Sequence, residues 1–161
     1  MAGSTSTTRI FLTHVHHAGI TVRSIERAIP FYRDVLGFKI EEPFEFGGEV
    51  MARVNGVAGC AGRICFAVTP TGLKIELLQF TQADSPSEQS WRPNNPGAMH
   101  LGIIVHNIDE VFAAAKAHGF ETSNEIQTIP EGAFQGLRVI YVRDPYGAFL
   151  ELIQPLPGMA M

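Results

Sequence analysis

Apolar residues follow two different periods along this chain, and the order in which the periods change is written twice. The stretch HHAGITV, residues 16–22, is short, rich in Val and Ile and predicts a strand. From Ile25 the spacing lengthens. Ile25, Ala28, Ile29, Tyr32 and Leu36 recur at helical intervals, and Gly37-Phe38 then supplies a left-handed stop. The same succession returns as MHLGIIV, residues 99–105. Ile108, Val111, Phe112, Ala115 and His118 follow at helical spacing, and Gly119-Phe120 ends the run. Pro30 interrupts the first helical run, so that helix is expected to start near Arg27, with the proline in its first turn.

The two copies also close alike. GLKIELLQF (72–80) ends the first and GAFLELIQP (147–155) the second, and RICFAVT (63–69) and LRVIYVR (137–143) precede them as further strands. Each copy therefore reads as strand, helix, then about three strands. This predicts an α+β fold of two tandem βαβββ modules, at 13–80 and 98–155, in one domain spanning 13–155. The polar, Pro-rich segment 81–97 is the expected linker, with Trp91 anchoring it to the body. Residues 1–12 and 156–161 read as tails. One helix covers only one face of such a sheet. Two modules side by side are expected to curve their open faces around a shared cavity.

Composition narrows the function classes. The chain has 161 residues and a net charge of −4, which gives no basic footprint for nucleic acid. Its apolar runs are too short to span a bilayer, and MAGSTSTTR lacks the apolar core of a signal peptide. Cys60 and Cys65, in CAGRIC, have neither disulfide-framework nor zinc spacing and are expected as free thiols of a cytoplasmic protein.

Four residues resist a purely structural reading. His17 and His100 open the first strand of their modules. Glu76 and Glu151 sit between Ile or Leu neighbours in the closing strands. A carboxylate in such company is at least partly buried and needs a cation, a donor or a metal. Taken singly, His17 reads as a structural histidine and Glu76 as a partner for Lys74, two residues away on the same face. Recurrence of the whole set at matching places favours metal ligation by His17, Glu76, His100 and Glu151. Two imidazoles and two carboxylates suit one divalent ion with open positions, and nickel, cobalt, zinc, manganese and iron all remain candidates. Strand alternation sends His16 to the face opposite His17, with His14 on its side. Both are expected to be structural or to support a ligand. His118 suits a helix C-terminus. His106 is a weak candidate.

The quoted stretches, together with RDPYGAFLELIQP at 143–155, resemble the vicinal oxygen chelate superfamily. That superfamily includes glyoxalase I, methylmalonyl-CoA epimerase, extradiol dioxygenases and fosfomycin-resistance proteins. The resemblance implies paired βαβββ modules cupped around one divalent metal, and it carries the ligand roles onto His17, Glu76, His100 and Glu151. It also implies a homodimer. The four-ligand set is similar to the glyoxalase and epimerase branches, and IELLQFTQADSP is similar to an epimerase segment. Dioxygenases normally use two histidines and one carboxylate.

An open-sided divalent ion polarises a carbonyl, and flanking carboxylates then exchange the proton alpha to it. The expected function is a metal-dependent lyase or isomerase with Glu76 and Glu151 as acid and base. An extradiol-type dioxygenase and a non-catalytic small-molecule binding protein are the alternatives. Arg53, Arg63, Arg92 and Arg138 are candidates for an anionic substrate tail, each with a plain reading as a surface charge. Phe44, Phe46 and Met51 lean toward a hydrophobic or aromatic substrate. Segment 129–138 reads as a lid or a hairpin connection.

Overall fold

The structure is a computed structural model that describes residues 14–81, 92–94, 96, 98–122 and 124–159. The expected N-terminal tail, Trp91 and most of the linker lie outside the described residues. No helix among those described is long and apolar enough to cross a membrane.

Module one runs β1 (His17–Thr21), α1 (Ile25–Pro30), β2 (Lys39–Ile40), β3 (Phe44–Gly47), α2 (Gly48–Asn55), β4 (Ala61–Val68) and β5 (Lys74–Phe80). Module two runs β6 (His100–Ile104), α3 (Ile108–Ala117), β7 (Gln127–Thr128), β8 (Arg138–Arg143) and β9 (Phe149–Gln154). Each forms its own mixed sheet. The orders are β1-β5-β4-β2, with β3 also against β4, and β6-β9-β8-β7. The first and last strands of each module pair in parallel, β1 with β5 and β6 with β9, and the remaining pairs are antiparallel. These are the two βαβββ units that the repeat predicts. Module one carries an addition: FEFGGEVMARVNG forms β3 and the exposed helix α2.

Strand alternation sets which face is buried. In β5, Ile75 and Leu77 are buried, and in β9 Leu150 and Leu152 are buried, all toward the helices. One core cluster joins these module-one residues to Ile25, Ala28 and Tyr32 of the first helical run, and another surrounds Ile108 and Ala115 of α3. The clusters meet. Leu36 and Leu101 pack against both, and Phe31 belongs to the second although it lies in module one, with its ring 4.2 Å from that of Phe120.

Pro30 departs from expectation. Ser24, not a residue near Arg27, caps α1, accepting from Arg27 N, so the proline lies at the end of the helix rather than in its first turn. Proline has no N–H to offer the carbonyl four residues back and crowds it. The chain continues as a π-helical turn over Phe31–Val35, where Leu36 N reaches Phe31 O at 3.2 Å. Gly37 and Gly119 end their helical runs with φ of +71° and +82°, as predicted.

A second repeated residue has a structural explanation. Both closing strands read Glu-x-x-Gln. Gln79 Oε1 accepts from Ile25 N at 2.9 Å, and Gln154 Oε1 accepts from Ile108 N at 2.8 Å. Three residues separate Glu from Gln, so they leave opposite faces of the strand. The glutamine satisfies an orphan N–H at the start of its module's helix while the glutamate faces the open side.

Asp144, in Arg-Asp-Pro-Tyr-Gly, is the buried charged residue among those described. Its Oδ1 accepts from Tyr146 N and Ala148 N, both at 2.8 Å, and shapes the turn into β9. Burial pushes its carboxyl above the ordinary range, against the pull of those backbone donors. A raised folded-state value means that this group's contribution to stability is present at low pH and is lost as pH rises through that value. Asp144→Asn keeps the Oδ1 acceptor and discards the charge. It is therefore expected to gain on the wild type in urea denaturation as pH rises from about 4 to neutrality. Asp144→Ala orphans two partly buried N–H groups and is expected to cost about 2–4 kcal/mol.

Candidate functional site

The repeated His-x-Gly has a geometric cause. In parallel register Gly19 lies opposite Glu76, and Gly102 lies opposite Glu151. The histidine two residues earlier shares the glycine's face. A Cβ on Gly19 would come 3.4 Å from Glu76 Oε2, and one on Gly102 would come 3.8 Å from Glu151 Oε2. The glycine thus leaves room for the carboxylate to lie across the neighbouring strand toward the histidine. His17 Nε2 stands 3.3 Å from Glu76 Oε2, and His100 Nε2 stands 3.4 Å from Glu151 Oε2. Both glutamates are the more covered member of their pair. Lys74, the alternative partner for Glu76, turns instead to Glu41 at 3.2 Å.

The strands that carry His17 and His100 share a cleft, and of the four candidate ligands His100 lines it. Gly19 and Thr21 of β1 and His100 of β6 line one cleft of about 260 Å³. Above each pair stands an aromatic residue from the next strand, and here the modules differ. Phe66 is in register with Glu76, and its ring centroid is 5.9 Å from that of His17. Tyr141 is in register with Glu151, and its hydroxyl lies 3.1 Å from His100 Nε2. Burial first, then the Glu151 carboxylate, pushes the Tyr141 phenol above its ordinary range, so it remains a hydrogen-bond donor at neutral pH.

A family model described as the glyoxalase/bleomycin resistance protein/dioxygenase superfamily matches residues 14–152. The chain belongs to that superfamily. Within it, the chain is 29% identical over 152 residues to a 2-epi-5-epi-valiolone epimerase from Actinomyces sp, covering 91% of this chain and 81% of that one. It is 31% identical over 146 residues to the mitochondrial methylmalonyl-CoA epimerase of Mus musculus, covering 89% and 74%. Among solved structures, a glyoxalase family protein from Bacillus cereus superposes with a TM-score of 0.77 at 27% identity, covering 94% of this chain and 99% of that chain.

Superfamily members typically bind a divalent metal, and the donor chemistry here fits half a ligand shell in each module. Two donors each about 2.1 Å from one ion, at roughly a right angle, lie about 3 Å apart. The His–Glu separations of 3.3 and 3.4 Å match that spacing. Among the described residues no three or more His, Cys, Asp or Glu are gathered as one ligand group. The four expected ligands therefore come together in twos.

The other histidines sort differently. His16 does not face away from His17: their Nδ1 atoms are 2.8 Å apart, and both rings flank Phe66. The strand starts at His17, so alternation does not extend back to His16. His14 lies tilted against His16, with centroids 6.4 Å apart, His106 is exposed, and His118 caps α3 as expected.

Three of the four rim arginines follow the plain reading. Arg53 pairs with Glu49 at 2.7 Å, Arg63 with Glu26, and Arg138 with Asp109 at 2.6 Å, all at the surface. Residues 131–136 form turns between β7 and β8, a hairpin connection. The sequence reading missed Arg143 and Tyr141. Both share the open face with Glu151 by simple alternation along β8, opposite Phe149 and Glu151.

Proposed function

We propose that the protein is a divalent-metal-dependent isomerase of the epimerase type, moving a proton at the carbon alpha to a substrate carbonyl. The observation that carries this reading is the duplicated His–Glu pair, with separations of 3.3 and 3.4 Å, on the two modules that wall one cleft. His17, Glu76, His100 and Glu151 are the residues that would hold the ion, which when bound supplies Lewis acidity to the carbonyl.

The chain's own residues do the proton work. Glu76 and Glu151 belong to different modules, so a substrate held between the modules would have one carboxylate toward each face. One takes the proton and the other returns it to the opposite face, which inverts the centre. Gly19 and Gly102 leave each carboxylate the space to move. Tyr141 donates to the module-two pair and orients it, whereas Phe66 sets an apolar ring beside His17 in the module-one pair. The two sides of the site are thus chemically unequal, as two faces of one carbon require. Epimerases among the relatives support the reaction class. A small-molecule substrate follows from the size of the cleft, and a homodimer from the family resemblance.

Elemental mass spectrometry of the purified protein beside Glu76→Ala tests the metal. About one divalent ion per chain is expected in the wild type, and a loss of about tenfold or more in the variant. Iron retained without Glu76, together with oxygen consumption, would replace this reading with a dioxygenase. No metal in either protein, after reconstitution with nickel, cobalt, zinc, manganese and iron, would make the chain a binding protein.

A further inference from the structure

We infer that the open face of module one beside Glu76 is an apolar shelf that seats the non-reacting part of the substrate, and that this part is an uncharged, flat apolar group about the size of one aromatic ring. The inference rests on the proton-transfer reading only for where the reacting carbon lies.

Strand register lays out the shelf. Phe66, Glu76 and Gly19 form one row across β4, β5 and β1. The next row along the strands is Phe44, Ile64, Leu78 and Thr21, and the one after it is Phe46, Gly62 and Phe80. Residues two apart in a strand share a face, so all three rows stand on the side of Glu76. Ring contacts agree: Phe44 lies 6.2 Å from Phe66, and Phe66 lies 5.9 Å from His17, centroid to centroid. Gly62 makes the third row continuous. Having no side chain, it lets the Phe46 ring fold across β4, where a Cβ would come 2.7 Å from that ring, and meet Phe80 at 5.4 Å. Rows are about 7 Å apart along a strand, and neighbouring strands are about 4.8 Å apart. A ring attached one or two bonds from a carbon held at Glu76 therefore lies over the second row. Thr21, at the inner end of that row, and Gly19 also line the cleft that β1 shares with β6, so shelf and cleft are continuous.

The side chains of the shelf select the class. Its second and third rows are apolar except for the Thr21 hydroxyl at the inner end. The charges of the same strands leave the other face: Glu45 and Arg63 are in register there, and Arg63 pairs with Glu26 of α1. A charged or hydroxylated group over these rows would give up water for apolar contacts, which costs free energy. A flat apolar group instead gains contact with Phe44, which is 49% exposed, and with the half-buried Leu78. Module two builds the matching row differently. It keeps an aliphatic middle, Val139 and Ile153, but Gln127 stands where Phe44 does. Phe44 and Phe46 belong to β3, part of the addition that the repeat lacks. Among the described residues, only module one offers aromatic faces in these rows. The shelf thus points the apolar group of the substrate toward module one, which fixes the face of the reacting carbon that each carboxylate meets.

The test is a ligand-observed NMR titration of the full chain after dialysis against EDTA. Its three probes share one hydroxyketone head: 2-hydroxyacetophenone carries a phenyl ring, hydroxyacetone a methyl group and erythrulose further hydroxyls. Working without metal separates this binding from the proton-transfer chemistry, so either reading can fail alone. The phenyl probe is expected to bind about tenfold or more tightly than either other probe. Phe44→Ala is expected to weaken it about threefold and Phe44→Asp about tenfold, with hydroxyacetone changed less than about twofold. Gln127→Ala, the matching change in module two, is expected to alter neither by more than about twofold. Phe44 is half exposed, so its variants keep the fold, which circular dichroism checks. Equal binding of the three probes would overturn the inference, and so would a preference for erythrulose. Phenyl binding that is absent, or indifferent to both Phe44 variants, would place the ring elsewhere and overturn it. No phenyl preference, together with a fall in sedimenting mass for Phe44→Asp, would overturn it by giving the shelf to a second copy of the chain.

Discussion

Glu151→Gln is expected to lower inversion of the substrate's stereocentre by about 10²–10⁴-fold, the usual contribution of one positioned acid–base group. Glutamine keeps the shape and an oxygen acceptor for Tyr141, so the far-ultraviolet circular dichroism and the melting temperature should hold. The sharper result is in deuterium oxide. With two carboxylates serving opposite faces, a variant that lacks one should still wash the proton of one epimer into solvent while failing to invert it. The other epimer should neither exchange nor invert. Glu76→Gln should show the mirror-image pattern. Proton NMR of both epimers of methylmalonyl-CoA, a probe taken from one relative's name, reads washout and inversion separately. Loss of washout from both epimers in one variant, with none lost in the other, would put both proton transfers on a single carboxylate and remove the two-base scheme.

The largest effect on stability is expected at Gly62. This residue lies in β4, in register with Phe80 on one side and Phe46 on the other. A Cβ there would overlap the backbone carbonyl of Gln79 and come 2.7 and 2.9 Å from atoms of the Phe46 ring. A ring can turn aside, but a backbone carbonyl held in a sheet cannot, so β4 and β5 must part. The damage extends to the first helix because Gln79 also caps Ile25 N. Gly62→Ala is expected to cost about 3 kcal/mol or more, read as a shift in the urea midpoint at unchanged slope. Gly72→Ala is the control. Gly72 has φ of +90° with nothing within 4 Å of a built Cβ, so only the backbone penalty of about 1–2 kcal/mol applies. If the two variants lose the same stability, the steric account of Gly62 is wrong.

Gly62 also marks where sequence reading stops. In CAGRICFAV it looks like a strand glycine with any of several causes, and the atom that forbids a side chain belongs to a residue seventeen positions away. Phe31 shows the same limit. The helical pattern assigns Ile25, Ala28, Ile29, Tyr32 and Leu36 to the core, and Ile25, Ala28 and Tyr32 are buried there. Phe31 is off that stripe, yet it is buried in the other module's cluster, because the π-helical turn after Pro30 packs against module two.

What the sequence by itself determined was the local plan and its duplication. Strand and helix periods, the stops at Gly37 and Gly119, and the recurring His-x-Gly and Glu-x-x-Gln are properties of neighbouring residues, and short-range sterics and alternation translate them directly into β-α-β-β-β twice over. The candidate residues His17, Glu76, His100 and Glu151 were legible for the same reason: each is odd within its own strand, and the oddness repeats. Only the tertiary structure decided what those residues face. It put Gly19 and Gly102 beneath the carboxylates, and it turned Lys74 to Glu41. It drew His16 to His17 and set Phe66 in one module against Tyr141 in the other. It also laid Phe44 and Phe46 along the open face beside Phe66, while three of the arginines first suspected went to surface ion pairs. Each outcome depends on side chains brought together across strands or between modules. The energy of such a contact is set by distance and burial, which no local period encodes.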